Sequence, residues 1–376
     1  DGDGQYRFVS LGRYAAQVGP DMRHMGADRV AVLYADGQIV DGEGYDASGC
    51  YVIPGLVDVH THGAMNRDFS DGDPEALGVA SKYYAENGVT SFLATTMTLK
   101  EHQLMPAMAC VKDSGPLPGA RCAGIHLEGP FLCYNKRGAQ NPDNLHAPDA
   151  DMFMRLNEAS GGAVRLITVA PEVEGGIDFI KRVSPVCTVS VGHTEADYDT
   201  AMRAYEAGAS HTTHLFNGMP GLHHRKPGVI GAAFDAGATV ELICDGLHLH
   251  PAAVRLAMQL FGSHAALISD SLRCAGMPDG DYELGGLPIK LGGGVARLLD
   301  GTLAGSCINV GEALRRAVSF GVPLEAAVTA ATITPARSVR LDDCGELAPG
   351  KRADIVVLDT ELKVKAVFVG GEKVVG

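Results

Sequence analysis

The sequence predicts an α/β chain: a (β/α)8 TIM-like barrel with a small β-sandwich domain formed from both chain ends. Three observations predict it. From residue 54 onward, eight short apolar runs alternate with stretches of helical character, the pattern of a parallel sheet wrapped by helices. The first run leaves a Pro54-Gly55 turn and ends in His60-Thr61-His62. Both chain ends are instead β-rich. An open doubly wound sheet is the alternative, but it would carry a Gly-rich phosphate turn after its first strand, and His60-Thr61-His62-Gly63 is not one.

At the N-terminal end, Arg29-Val30-Ala31-Val32-Leu33-Tyr34, Asp36-Gly37 and Gln38-Ile39-Val40 read as a hairpin. Barrel strands are then predicted at 56–60, 91–95, 124–128, 165–170, 188–193, 210–215, 239–244 and 266–270. Helices are predicted at 74–87, 177–183, 195–207 and 251–261. The helix at 195–207 follows His193-Thr194 and stops at Gly208, so both of its boundaries have chemical causes. Residues 353–359 and 364–369, a Gly370-Gly371 turn and residues 373–375 close the chain as strands. The domain limits expected are 1–53 and 344–376 for the two parts of the small sandwich and 54–343 for the barrel.

Composition narrows the function. The 376 residues suit one large barrel plus a minor domain. A net charge of −14 disfavours nucleic acid and anionic membranes as partners. No apolar run reaches the ~18–20 residues of a membrane helix. Asp1-Gly2-Asp3-Gly4-Gln5 has no basic or apolar leader character. The nine cysteines are scattered without a Cys-x-x-Cys pair, as expected of reduced thiols in a cytoplasm. The 48 glycines fit a turn-rich α/β enzyme better than a helical scaffold.

Chemistry enters where the predicted strands end. His60 and His62 alternate on one strand, so they leave it on one face. Active sites of such barrels lie at the carboxyl ends of the strands, and the ends here carry His60 and His62, Glu128, His193, His214 and Asp270. Any one of these could be a core histidine or a loop cap. Their coincidence on one rim points to a metal centre. Neutral imidazoles with a carboxylate suit Zn²⁺ first, then Fe²⁺, Mn²⁺ or Co²⁺, over Mg²⁺ or Ca²⁺. Asp270 is the candidate to take a proton from metal-bound water and hand it to a leaving group; a further ligand or a helix cap is its other reading.

These residues resemble the amidohydrolase superfamily, and within it the N-acetylglucosamine-6-phosphate deacetylases. The resemblance spans residues 50–360. It rests on Pro54-Gly55-Leu56-Val57-Asp58-Val59-His60-Thr61-His62-Gly63, His126-Leu127-Glu128-Gly129-Pro130, Gly192-His193-Thr194 and Thr213-His214-Leu215-Phe216-Asn217-Gly218-Met219. It continues through His224-Arg225-Lys226-Pro227-Gly228, Asp245-Gly246-Leu247-His248, Ser269-Asp270-Ser271 and Gly301-Thr302-Leu303-Ala304-Gly305-Ser306. It implies that Glu128, His193 and His214 hold the principal metal and that Asp270 is the acid/base. It also implies that Asn217 and Gly218 donate to a substrate phosphate, and that Arg225 clamps that phosphate from the neighbouring subunit of a homodimer. His248, with Asp245 ahead of it, would touch the sugar. Ala304 and Gly305 would lie along the ring, and Ala139 and Gln140 would flank the substrate.

The implied reaction is metal-dependent deacetylation of N-acetyl-D-glucosamine 6-phosphate to D-glucosamine 6-phosphate and acetate, with metal-bound hydroxide as nucleophile. The galactosamine epimer and a non-catalytic metal-binding barrel are the alternatives. A cyclic-amide hydrolase would need a lysine on strand four, and 165–170 has none. Two positions depart from the resemblance. Gln140 stands where some relatives carry a histidine that polarises the acetyl carbonyl, so a second metal on His60 and His62, bridged by Glu128, is expected to assume that role. Leu272-Arg273-Cys274 replaces small residues in a segment expected to border the sugar.

Overall fold

The computed structural model describes residues 33–35, 38–41 and 43–376. Eight parallel strands form one sheet in chain order: β1 (Leu56–Thr61), β2 (Val89–Thr96), β3 (Arg121–Glu128), β4 (Val164–Val169), β5 (Thr188–Val191), β6 (His211–Thr212), β7 (Thr239–Ile243) and β8 (Ala265–Ile268). Every residue of β1, β2, β5, β6 and β8 is buried, as strands covered on both faces must be. Helices follow the strands in turn, from Pro74–Glu86 after β1 to Val310–Ser319 after β8. The latter buries Val310, Ala313, Leu314 and Ala317, one stripe at helical spacing.

The barrel closes between β8 and β1 through bonds just beyond their ladders. The Asp270 N–H donates to the His60 carbonyl at 2.8 Å, and the His62 N–H donates to the Ser271 carbonyl at 2.8 Å. One turn lower, the Asp58 carboxylate does the work of a backbone partner. It accepts from Ser269 Oγ at 2.6 Å and from the Ser269 N–H at 3.3 Å. Burial pushes the Asp58 pKa up to about 7 against these bonds. The acid that interrupts the apolar run of β1 is therefore a seam residue, and the seam sets Asp270 beside His60 and His62.

Both chain ends do meet in a separate sheet. Its order is Leu33–Ala35, Cys50–Pro54, Ile355–Leu358, Val364–Val369 and Glu372–Val375, antiparallel throughout. Cys50–Pro54 runs through Gly55 straight into β1, so this sheet fixes where the barrel starts. The expected N-terminal hairpin is corrected. Gln38–Asp41 pairs with Glu43–Asp46, while Leu33–Ala35 pairs with Cys50–Pro54; residues 29–32 and the Asp36-Gly37 turn lie outside the described residues. The hairpin packs Tyr45 edge-on to Phe368 at 5.8 Å between ring centroids.

Three further differences have local causes. Strand β6 ends at Thr212 rather than 215, because His214 and Phe216 take left-handed φ values of 26° and 76°. The helix after β5 is Tyr198–Glu206, capped by Asp197, whose carboxylate accepts from Thr200 N at 2.8 Å. Thr194 is instead engaged with Glu172 and Ala196. Between β8 and the last barrel helix lies an antiparallel insertion, Gly280–Leu284, Leu287–Gly292 and Val295–Leu298, that the sequence reading did not anticipate.

Arg121, at the start of β3, grips Asp343 with both guanidinium nitrogens at 2.7 and 3.0 Å. That contact holds the Asp343 carboxyl below its usual range. A carboxylate with a depressed folded pKa stabilises above its unfolded pKa and loses that stability as pH falls through the folded value. Asp343→Asn is therefore expected to lower Tm at neutral pH, by about 1 kcal/mol or less for so exposed a pair. The deficit should vanish in acid, which thermal melts across pH will check.

Candidate active site

The strand ends deliver the predicted residues to one rim. His60 lies in β1 and Glu128 ends β3, while His62, His193, His214 and Asp270 follow directly after β1, β5, β6 and β8. The last three are not in extended strand, as the sequence reading had them. Their φ values are 47°, 26° and 49°, a left-handed region costing a non-glycine residue roughly 1–3 kcal/mol. Neighbouring backbone holds two of the kinks and a buried side chain the third. Cys133 N donates to the His193 carbonyl at 2.9 Å, Ser306 N donates to the Asp270 carbonyl at 2.7 Å, and His214 N donates to Glu241 Oε2 at 3.0 Å. The kinks aim three side chains at the barrel mouth.

Glu128 sits at the centre. Its Oε1 is 3.1 Å from Nε2 of both His193 and His214 and 3.3 Å from His60 Nε2. Its Oε2 is 3.2 Å from His62 Nε2. Asp270 Oδ1 lies 3.5 Å from His60 Nε2 and 3.3 Å from His62 Nε2. On the far side of three of the four rings, Nδ1 meets only an acceptor, whereas the buried Nδ1 of His62 has no hydrogen-bond partner. His193 donates to the Lys136 carbonyl at 2.7 Å and His214 to the Asn217 carbonyl at 3.1 Å. His60 donates to Glu241 Oε2 at 2.9 Å. In a neutral ring this fixes the Nε2 lone pair inward.

The lone pairs of His193 and His214 then converge with their nitrogens 3.0 Å apart, and buried His60 Nε2 has no hydrogen-bond partner. Such a knot of electron pairs fits a divalent cation. Two overlapping ligand groups are present, Glu128–His193–His214 and His60–His62–Glu128. The donor set of imidazole nitrogen and carboxylate oxygen favours a transition metal over Mg²⁺ or Ca²⁺. Burial opposes charge on Glu128 and Asp270, yet the imidazoles in their protonated form, His60 above all, outweigh it and hold both carboxyls below their usual range; with neutral rings a bound cation would supply that positive charge instead.

Sequence reasoning missed Glu241. It is fully buried in β7, bonds His60 through its side chain and accepts the His214 backbone N–H with the same oxygen. One residue thus braces a member of each ligand group. The available signal was an acid interrupting the apolar run Val240-Glu241-Leu242-Ile243, as Asp58 interrupts β1.

The cavity above the cluster, about 150 Å³, is lined by Glu128, Ala139, Gln140, His193, Asn217, Gly218, His248, Asp270, Leu272 and Gly305 among others. Gln140 is fixed at both ends of its amide: Oε1 accepts from Thr98 N at 2.8 Å, and Nε2 donates to Glu128 Oε2 at 2.5 Å. Gly218 has φ 59°, and a Cβ there would lie 3.1 Å from His193 Nδ1, so only glycine lets the loop pass so close. Not every expected contact is there. Asp245 lies behind His248, accepting from its Nδ1 at 2.6 Å, and orients that ring. Ala304 is fully buried beneath Gly305 and does not line the cavity. Arg225 sits on the exposed 221–226 loop, away from it. Arg273 turns outward to Asp71 Oδ1 at 2.8 Å, so Leu272 alone of that segment's two large residues borders the cavity.

A parallel barrel with a buried histidine–carboxylate cluster at the carboxyl ends of its strands defines a metal-dependent barrel enzyme. The chain belongs to the amidohydrolase family, whose model matches residues 51–374, and it is an enzyme that hydrolyses amides. It is 37% identical over 325 residues to the N-acetylglucosamine-6-phosphate deacetylase of Bacillus subtilis, covering 83% of this chain and 82% of that one. It is 36% identical to the N-acetylgalactosamine-6-phosphate deacetylase of Escherichia coli O157:H7, over 85% of this chain and 87% of that one. Among solved structures, the N-acetyl-D-glucosamine-6-phosphate deacetylase of Mycobacterium smegmatis, an aspartate-to-alanine variant in complex with N-acetyl-D-glucosamine 6-phosphate, superposes with a TM-score of 0.84. That pair is 36% identical over 90% of this chain and 91% of the other.

Proposed function

We propose that the protein deacetylates N-acetyl-D-glucosamine 6-phosphate, releasing D-glucosamine 6-phosphate and acetate, with Asp270 as general acid/base. The observation that carries this reading is the Asp270 carboxylate held 3.5 and 3.3 Å from the His60 and His62 ring nitrogens of the His60–His62–Glu128 group and lining the cavity that Glu128, His193 and His214 also line. Glu128, His193 and His214 would hold one divalent ion, zinc first among Zn²⁺, Fe²⁺, Mn²⁺ and Co²⁺, and His60 and His62 a second bridged by Glu128. When bound, the metal acidifies a water molecule and polarises the amide carbonyl.

The residues do the rest. Asp270, its carboxyl held below the usual range by the positive charge around it, takes the proton of the attacking water and delivers it to the departing sugar nitrogen. Asp245 holds His248 in one ring orientation toward the sugar. The Asn217 amide and the Gly218 backbone face the phosphate end. Arg225 completes that end from a second copy of the chain in a homodimer, since its own loop stands clear of its own cavity.

Metal analysis combined with acetate release from the two epimeric 6-phosphates tests the reading. Release from the gluco epimer supports it, release from the galacto epimer alone transfers it to the second relative's substrate, and bound metal with neither release overturns it. Arg225→Ala is expected to raise KM about tenfold or more, a charged hydrogen bond being worth ~1.5–3 kcal/mol. Mixing Arg225→Ala with Asp270→Asn subunits should recover part of the activity, because one site of each mixed dimer is then complete. No recovery in demonstrably mixed dimers would place Arg225 outside the neighbouring site.

A further inference from the structure

Two thiols beside the cavity have no part in the chemistry above. We propose that Cys274 and Cys307 form a modification site, a dithiol that closes to a disulfide under a peroxide and thereby alters the wall of the active-site cavity. Their sulfurs lie 3.5 Å apart. Among the described residues no other two cysteines make such a sulfur–sulfur contact.

The backbone makes the approach. The segments after β8 and before Val310–Ser319 run side by side, with Ser271 bridging Ser306 in parallel. Leu272 N donates to the Ser306 carbonyl at 3.0 Å and Ser306 N to the Asp270 carbonyl at 2.7 Å. A turn closed by Ala275 N on the Leu272 carbonyl at 2.8 Å then brings Cys274 round toward Cys307. A disulfide needs its sulfurs about 2.0 Å apart, so bridging draws the two segments' sulfurs about 1.5 Å closer than the present 3.5 Å. Cys274 is 1% exposed while Cys307 is partly exposed, so solvent reaches the pair through Cys307. A hydrogen bond joins the two sulfurs, and sharing one proton between them holds the Cys274 thiol below its ordinary range and pushes Cys307 up.

The step balances with hydrogen peroxide as oxidant. One thiolate sulfur displaces hydroxide from the peroxide and becomes a sulfenic acid; the second thiol attacks that sulfur, forming the S–S bond and releasing water. The two sulfurs together lose two electrons and both peroxide oxygens leave as water. Closure tugs on Leu272 and Gly305, which precede Cys274 and Cys307 by two residues, pack against each other and line the cavity.

The kinetic part rests on the proposed deacetylase reading; the bridge itself does not. The metal-loaded enzyme would be exposed to hydrogen peroxide, quenched with an alkylating reagent and mapped without reduction. The expected result is a peptide pair linking Cys274 to Cys307 before the other cysteines oxidise, with KM for the sugar phosphate raised severalfold, metal content unchanged and dithiothreitol restoring both. Cys307→Ser, with Cys307→Ala as its second version, should keep its KM under the same oxidant. Oxidation of other cysteines while these two remain alkylatable overturns the proposal, and so does a mapped bridge with unchanged kinetics. Absence of acetate release from the reduced enzyme would instead count against the deacetylase reading, and the peptide map would still decide the thiol pair.

Discussion

Asparagine at position 270 is expected to lower turnover by about 10²–10⁴-fold, the usual share of a positioned acid/base, with metal content and KM little changed. Asp270 has φ 49°, and asparagine tolerates left-handed backbone better than other residues do, so the kink after β8 survives the substitution. The side-chain amide keeps a carbonyl oxygen to meet the ring nitrogens of His60 and His62, 3.5 and 3.3 Å from the present carboxylate. What it loses is the capacity to take and return a proton. Steady-state kinetics with metal analysis on the same preparation separates the two roles. If turnover falls only as far as bound metal falls, Asp270 is a ligand first. Turnover near that of the parent protein refutes the acid/base assignment outright.

The legibility of this site follows from how its residues are made conspicuous. His60, His62, Glu128, His193, His214 and Asp270 each stand at the close of an apolar run, where the barrel's geometry forces them onto one rim. The left-handed kinks at His193, His214 and Asp270 were not legible, because histidine and aspartate are enriched at positive φ but mostly sit elsewhere; what imposes it here is the surrounding bonds, from backbone at His193 and Asp270 and from the Glu241 side chain at His214. For the same reason the reading ran three strands too long. Asp58 and Glu241 were visible as acids within apolar strands, but their partners, Ser269 for one and His60 with His214 for the other, lie far away in sequence. Arg273 was read as bordering the sugar because its neighbours do; its ion pair with Asp71 draws it away. The insertion over residues 280–298 alternates buried and exposed positions in Leu287–Gly292, yet its glycine-rich turns gave no reason to separate it from loop.

Removing the Glu241 carboxylate, as in Glu241→Ala, is expected to weaken metal binding at the His60–His62–Glu128 group by about 10–100-fold, as loss of a partner to a metal-ligating histidine does. Glu241 is the acceptor that fixes the His60 tautomer, at 2.9 Å from Nδ1. Without it the ring is free to protonate Nε2 and turn its lone pair from the cavity. The other group loses one brace too, the bond from the His214 backbone N–H, but both of its rings keep their Nδ1 partners, the Lys136 and Asn217 carbonyls, so it is expected to be the less affected and to keep its ion. The distinction matters because of Gln140. One N–H of its amide is committed to Glu128 Oε2 and its oxygen to Thr98 N, so it orients the central carboxylate, and its remaining N–H can donate a neutral hydrogen bond but not the positive charge of an imidazolium. On the proposed reading, polarising the acetyl group would then fall to the cation side, where His60 and His62 would be the ligands not needed for a first ion. Metal titration by calorimetry on parent and variant reads this directly: two binding classes in the parent, the weaker one lost or shifted in Glu241→Ala, and catalysis falling with it. A fully active parent subunit holding one ion would sink the second metal, and an unshifted two-ion titration in the variant would show that His60 does not depend on Glu241 to bind.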